Sequence, residues 1–117
     1  MKLQAAITAA IAAPMVFAGA LDATAQAWPN RPARIIVPFA PGGGTDIMGR
    51  LLAKTFTETL GQTFVAENRA GAGGLIGAEL AAKSPPDGYT IMVTTASLSV
   101  NVSLHKKLPF NPIKDLA

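Results

Sequence analysis

The residues best suited to chemistry in this chain are two glycine turns, each standing just before a helix-like stretch. Pro41-Gly42-Gly43-Gly44 runs into Thr45-Asp46, and Gly71-Ala72-Gly73-Gly74 runs into Leu75. Such a turn can present backbone N–H groups and the positive end of a helix dipole to an anion, and a carboxylate needs no more than that. Glycines also make tight turns with no ligand at all, so the turns alone leave both readings open. Nucleotide motifs fit poorly. A P-loop needs G-x-x-x-x-G-K-[ST], and no Gly-Lys stands at the required distance from Gly42, Gly43 or Gly44. A dinucleotide fingerprint from Gly71 and Gly73 needs its third glycine where Ile76 stands; the glycine comes at Gly77.

The search for a catalytic group nominates no residue. Ser97, Ser99 and Ser103 are near His105 in sequence, but a nucleophile needs a base oriented by a third group, and closeness along the chain does not supply one. Glu67 and Glu79 could form a carboxylate pair, yet Glu79 has an i,i+4 partner in Lys83. Asn101-Val102-Ser103 matches a glycosylation acceptor, an accidental match in a chain with a bacterial type of leader. With no cysteine and a single histidine, disulfides, Cys-based zinc sites and multi-histidine metal sites are excluded, and no cofactor is expected.

The elements that position the glycine turns follow from apolar pattern and punctuation. Ala33–Phe39 is a β-branched, nearly continuous apolar run, the pattern of a strand buried on both faces, with pairing expected to stop at Pro38. A helix follows over Ile47–Leu60, capped by Thr45 or Asp46 and ended by Gly61. Met48, Leu52, Phe56 and Leu60 mark its apolar face, with Gly49 costing it about 1 kcal/mol relative to alanine. Thr63–Glu67 is a second strand, Leu75–Lys83 a second helix with Ile76 and Leu80 on its apolar face, and Tyr89–Thr95 a third strand. Ala96–His105 is ambiguous, and Leu108–Ala117, with Pro109 and Pro112, reads as loop. The order β-α-β-α-β describes part of a doubly wound parallel α/β sheet. If strand one lies between the others, the order 2-1-3 puts a switch point beside its carboxyl end, where open α/β sheets bind ligands.

Composition narrows the partners. Of 117 residues, half are apolar and 15% charged, with a formal charge of +3. That is too apolar for a disordered tail, and the only adjacent basic pair is Lys106-Lys107, so a nucleic-acid surface is not expected. Residues 1–27 form a leader: Lys2, an uncharged run from Leu3 to Leu21, then Ala23-Thr24-Ala25-Gln26-Ala27. This positive start, apolar middle and A-x-A exit is a cleaved export signal, cut after Ala25 or, preferably, Ala27. The alternative, a membrane anchor, is weakened by the alanine content and Pro14.

Three stretches carry a family resemblance: "WPNRPARIIVPFAPGGGTDIMGRLLA", "VAENRAGAGGLIGAELAAKSPPDGYTIMV" and "LHKKLPFNPIKDLA". Together they resemble the amino-terminal part of the substrate-binding proteins of tripartite tricarboxylate transporters, the Bug receptors. The departures are small: Ala70 in place of a common proline, Gly49 inside helix one, and Phe110-Asn111 for a frequent Tyr-Asp. The resemblance implies a periplasmic receptor of two α/β lobes that closes on a small carboxylate and passes it to membrane transporter subunits, without catalysis. Residues 28–117 would be part of the first lobe, the second being absent. Phe39, Pro41, Gly42, Gly43, Gly44, Thr45 and Asp46 are implied to line the cleft, together with Thr95, Ala96 and Ser97; the loop Asn68–Gly74, with Gly73 and Gly74, is a further contributor. Asp46 is either a helix cap or an acid that recognises an amine. Two alternatives use the same topology: a small α/β enzyme or nucleotide-binding domain, and a periplasmic ligand sensor. With two open sheet edges, residues 28–117 alone are expected to be marginally folded or aggregation-prone and to bind carboxylates at best in the millimolar range, about −4 kcal/mol.

Overall fold

Strand β1 (Ala33–Val37) occupies the middle of a three-stranded parallel sheet, between β2 (Phe64–Asn68) and β3 (Thr90–Met92). The computed structural model describes residues 27–116; the expected leader, apart from Ala27, lies outside the described residues. The apolar run that predicted burial on both faces behaves accordingly, with Ile35, Ile36 and Val37 fully buried. Each such side chain stabilises the fold by about 1.5–3 kcal/mol. The register runs from Ala33 opposite Phe64 to Val37 opposite Asn68, and from Arg34 opposite Thr90 to Ile36 opposite Met92. The sheet therefore has the expected order 2-1-3.

Strand three is shorter than expected from Tyr89–Thr95. The last ladder bond on that side runs from the Val93 N–H to the Ile36 carbonyl, 3.0 Å. The next donor on β1 would be residue 38, a proline with no N–H. Beyond it Thr94 and Thr95 are exposed loop.

Helix α1 (Gly44–Leu60) starts three residues before the expected Ile47, with Gly43 as its N-cap. Its packing face also differs from the expected one. Asp46, Gly49 and Ala53 are the buried residues, with Leu52 and Phe56 packed beside Ala53 against Ile35 and Phe64. Met48 is 50% exposed and Ile47 and Leu51 more so. Gly49 explains the rotation: a Cβ there would stand 2.5 Å from Val37 Cγ2. Small residues let the helix approach β1, and the large ones flank the contact. At the other end Gly61 takes a left-handed conformation (φ 70°) and its N–H bonds the Thr57 carbonyl. The Thr57 hydroxyl accepts the Phe64 N–H at 2.9 Å, tying the helix end to the start of β2.

Helix α2 (Leu75–Ala82) follows a 3-10 turn over Ala72–Gly74, with Lys83 as C-cap rather than last helical residue. It too packs by an unexpected face: Leu75, Gly77 and Ala78 are buried, and Ile76 is 52% exposed. The undecided stretch after strand three forms helix α3 (Ser97–Leu104). Leu98 packs with Leu75, Ala78 and Phe110, and Met92 joins them from the sheet. Thus α1 covers one face of the sheet, and α2 with α3 the other. Residues after Leu104 are irregular, with Phe110 as their buried anchor. Among the described residues, no helix is long and apolar enough to cross a membrane.

Candidate functional site

Parallel strands send all three connecting loops to the same edge, and each of these loops opens a helix. The consequence is that the N-termini of α1, α2 and α3 share the carboxyl edge of the sheet. Their N-cap residues are Gly43, Gly74 and Ala96, and none makes a side-chain capping hydrogen bond. In α1 the first helical bond is Ile47 N–H to Gly43 carbonyl, 3.0 Å. Among the described residues no backbone hydrogen bond engages the N–H groups of Gly43, Gly44 or Thr45. Donors left open at a helix start, with the dipole's positive end behind them, suit a carboxylate oxygen.

Asp46 belongs to the same turn but faces inward. Its side chain is 5% exposed. One carboxylate oxygen, Oδ2, accepts the Gly42 N–H at 2.9 Å and Arg50 Nε at 3.0 Å; the other, Oδ1, accepts Asn68 Nδ2 at 2.9 Å. Asp46 thus closes the glycine turn from the third helical position, where sequence reading placed a cap or a ligand-recognising acid. Arg50, the Gly42 N–H and Asn68, in that order, lower its pKa to about 2. A folded-state pKa below the unfolded 3.8 gives stability that is complete above that value and lost as the pH falls through about 2. Thermal unfolding is therefore expected to show a Tm that drops between about pH 4 and 2. An Asp46→Asn variant, less stable at neutral pH, should drop less steeply; parallel curves would contradict the assignment.

The second and third loops meet the first. Phe39 is half-buried, and Gly74 backs onto it: a Cβ at Gly74 would stand 3.5 Å from the Phe39 ring and 3.6 Å from Pro38. Gly74 (φ 96°) and Gly73 (φ 65°) are both left-handed, so the turn needs glycine at each. The Gly73 carbonyl accepts Asn101 Nδ2 at 2.7 Å, which fastens loop two to helix α3. The Thr95 and Ser97 hydroxyls are 2.7 Å apart and hydrogen-bonded, and both residues are exposed beside Ala96. Pro41 and Gly42 to Gly44 are exposed, and Thr45 is half-buried. Concavities of about 400 and 550 Å³ lie away from these loops, the first beside Arg31 and Arg34 at the amino end of the strands, the second beside α2 and Lys114.

The other sequence candidates are drawn apart. His105 Nδ1 pairs with the Asn101 carbonyl at 2.7 Å, and the Ser103 hydroxyl donates to the Ser99 carbonyl. Among the described residues, no serine hydrogen-bonds His105. Glu67 pairs with Arg69 and Glu79 with Lys83, so the two carboxylates do not act together. Sequence reasoning placed Asn68 only as the start of a contributing loop and gave no part to Arg50 or Asn101 in shaping the loops; of their contacts only the i,i+4 pair Asp46–Arg50 leaves a local signal.

Comparison with known proteins bears on this geometry. A family profile described as "Tripartite tricarboxylate transporter family receptor" matches residues 48–117. Protein BugT of Bordetella pertussis is 47% identical over 111 residues, which are 93% of this chain and 32% of BugT. A solved structure titled "Structure of a periplasmic transporter" superposes with a TM-score of 0.71 at 51% identity, over 75% of this chain and 30% of that one. MatC from Rhodopseudomonas palustris, solved with bound malate, superposes with a TM-score of 0.67 at 41% identity, over 74% of this chain and 30% of its own. The chain spans roughly a third of the length of the curated relatives it matches.

Proposed function

The chain belongs to the tripartite tricarboxylate transporter receptor family, and on that premise we propose that it is the ligand-gripping part of a periplasmic receptor for a small carboxylate. The observation that carries this reading is the gathering of three helix N-termini without capping side chains at one sheet edge. An exposed N-cap of alanine instead of serine or aspartate costs a helix about 0.5–2 kcal/mol. A bound carboxylate would take the place of the missing cap at that edge.

In this reading the N–H groups of Gly43, Gly44 and Thr45 meet the carboxylate, directly or through water. Thr95 and Ser97 add hydroxyls beside Ala96, Phe39 forms an apolar wall, and Pro41, Gly73 and Gly74 shape the turns. Gly42 and Asp46 hold the first turn in place, since the Asp46 oxygens are engaged by Gly42, Arg50 and Asn68. The malate bound to MatC supports a dicarboxylate as the class of ligand. The receptor carries out no reaction on its ligand. Residues 1–27 direct export and are removed, so that the mature chain starts at Trp28. A second lobe closes over the carboxylate in the full-length receptor, which delivers it to membrane transporter subunits. One lobe leaves the ligand's other side in water, where charge-assisted bonds are weak, so affinity here is in the millimolar range, about −4 kcal/mol.

The test is an NMR titration of the whole chain with malate, citrate, an aromatic acid, ATP and NAD. Saturable shifts with carboxylates and none with the nucleotides are expected. Saturation by ATP or NAD with silence towards every carboxylate would favour a nucleotide-binding domain.

A further inference from the structure

The buried polar network beneath the first glycine turn depends on a residue outside that turn. Asn68 is the last residue of β2, opposite Val37, and its side chain reaches under the β1–α1 loop. Its Nδ2 donates to the Phe39 carbonyl at 3.1 Å and to Asp46 Oδ1 at 2.9 Å; its Oδ1 accepts Arg50 from α1 at 3.1 Å. Both amide hydrogens and the amide oxygen are therefore engaged, and the amide can face only one way. Turned over, its NH₂ would meet the guanidinium, and its oxygen would meet a carbonyl and a carboxylate. The same Asp46 accepts the Gly42 N–H, so one chain of bonds runs from β2 through Asp46 to the glycine turn.

We propose that Asn68 is a positioning residue for the carboxylate site, clamping the Phe39–Asp46 loop to the end of β2 so that the Gly43 and Gly44 N–H groups stand ready for the ligand. This rests on the receptor reading above, since Asn68 itself touches no ligand in it. The Asn68 side chain supplies the only bonds, among the described side-chain hydrogen bonds, that join this loop to β2 from both its Phe39 end and its Asp46 end. Without them the turn keeps Asp46–Gly42 and Asp46–Arg50, both internal to the loop and α1, and loses its side-chain tie to β2.

The clamp makes a prediction for Asn68→Asp. The new carboxyl would put oxygen in place of Nδ2, beside Asp46 Oδ1 and the Phe39 carbonyl, with the Arg50 guanidinium on its other side. The charges flanking Asn68 are Glu67 on β2 and Arg69 just beyond it; Glu67 pairs with Arg69 and with Arg34 of β1. With Arg50 favouring the ionised form, the new carboxylate has no hydrogen to donate and repels the Asp46 carboxylate and the Phe39 carbonyl.

The experiment uses the ¹⁵N-labelled whole chain, reading the exchange of the Gly42 amide, which Asp46 holds, and the malate Kd near pH 6 and pH 8. Asn68→Ala is expected to speed exchange in the turn and raise Kd about tenfold, the factor for one ordinary hydrogen bond, at both pH values. Asn68→Asp should lose at least as much as Asn68→Ala at both pH values, with Ile35 and Ile36 protection unchanged throughout. Wild-type exchange and Kd in Asn68→Ala, or an Asn68→Asp variant that tracks wild type at both pH values, would overturn the proposal. Loss of Ile35 and Ile36 protection in both variants at both pH values would also overturn it, by assigning Asn68 to the core. A wild-type chain that binds no malate would refute the receptor reading, and the exchange rates in the turn would still decide the clamp.

Discussion

Gly43→Asp is expected to abolish saturable malate binding while leaving the fold as stable as wild type. Gly43 is the N-cap of α1 with φ −81° and ψ 170°, an extended conformation open to any residue. A Cβ there would meet nothing closer than the Ala40 carbonyl at 3.8 Å. The new carboxylate would cap the Thr45 or Asp46 N–H and occupy the positive helix end, as aspartate does at N-caps generally. In stability the exchange of glycine for aspartate changes only a few tenths of a kcal/mol. In binding it substitutes an internal carboxylate for the external one and adds like-charge repulsion, so Kd should rise at least about tenfold. Gly43→Ala, which adds bulk but no acceptor, should bind as wild type does. Equal Kd values for the aspartate variant and wild type would remove α1 from the site.

Gly77→Ala is expected to unfold the chain or bring it close to unfolding. The position is helical and its sequence context gives no hint of crowding; propensity alone would award alanine about 1 kcal/mol. Yet a Cβ at Gly77 would lie 2.6 Å from Pro38 Cβ, 2.8 Å from Pro38 Cα and 2.9 Å from the Arg69 carbonyl. Two of these three are backbone atoms at the ends of β1 and β2, which cannot rotate away as a side chain can. Overpacking of this kind costs about 1–3 kcal/mol or more, a large part of a small domain's stability. Circular dichroism melting should show a loss of cooperativity or a Tm lowered by several degrees. A Tm at or above wild type would mean that α2 shifts freely on the sheet.

Gly77, with Gly49, shows why the fold was only partly legible. β1 announced itself because Ile35, Ile36 and Val37 form an uninterrupted β-branched run, and Pro38 marked its end. The parallel order followed from the helices between the strands. The inward faces of α1 and α2 did not follow, because periodicity weighs large apolar residues, whereas the contacts are made through Gly49 and Gly77, where absence of a side chain admits the neighbour. Met48 and Ile76 consequently stand half-exposed. α3 was undecided because Ser97–Leu104 mixes serine with β-branched residues and has no capping side chain. In the candidate site, the glycine turns could be named from local pattern, and Thr95-Ala96-Ser97 from the family resemblance alone. The role of Asp46 could not, since Asn68 is 22 residues away and meets it only when β2 pairs with β1.

The central claim is that a carboxylate binds at the carboxyl edge of the sheet, on the open helix N-termini. Its most direct test is to map which backbone amides move when malate is titrated into the ¹⁵N-labelled chain. The account predicts the largest saturable shifts at Gly43, Gly44, Thr45 and Ser97. Shifts centred instead on Arg31, Arg34 and Asp87, around the cavity at the opposite edge, would contradict it.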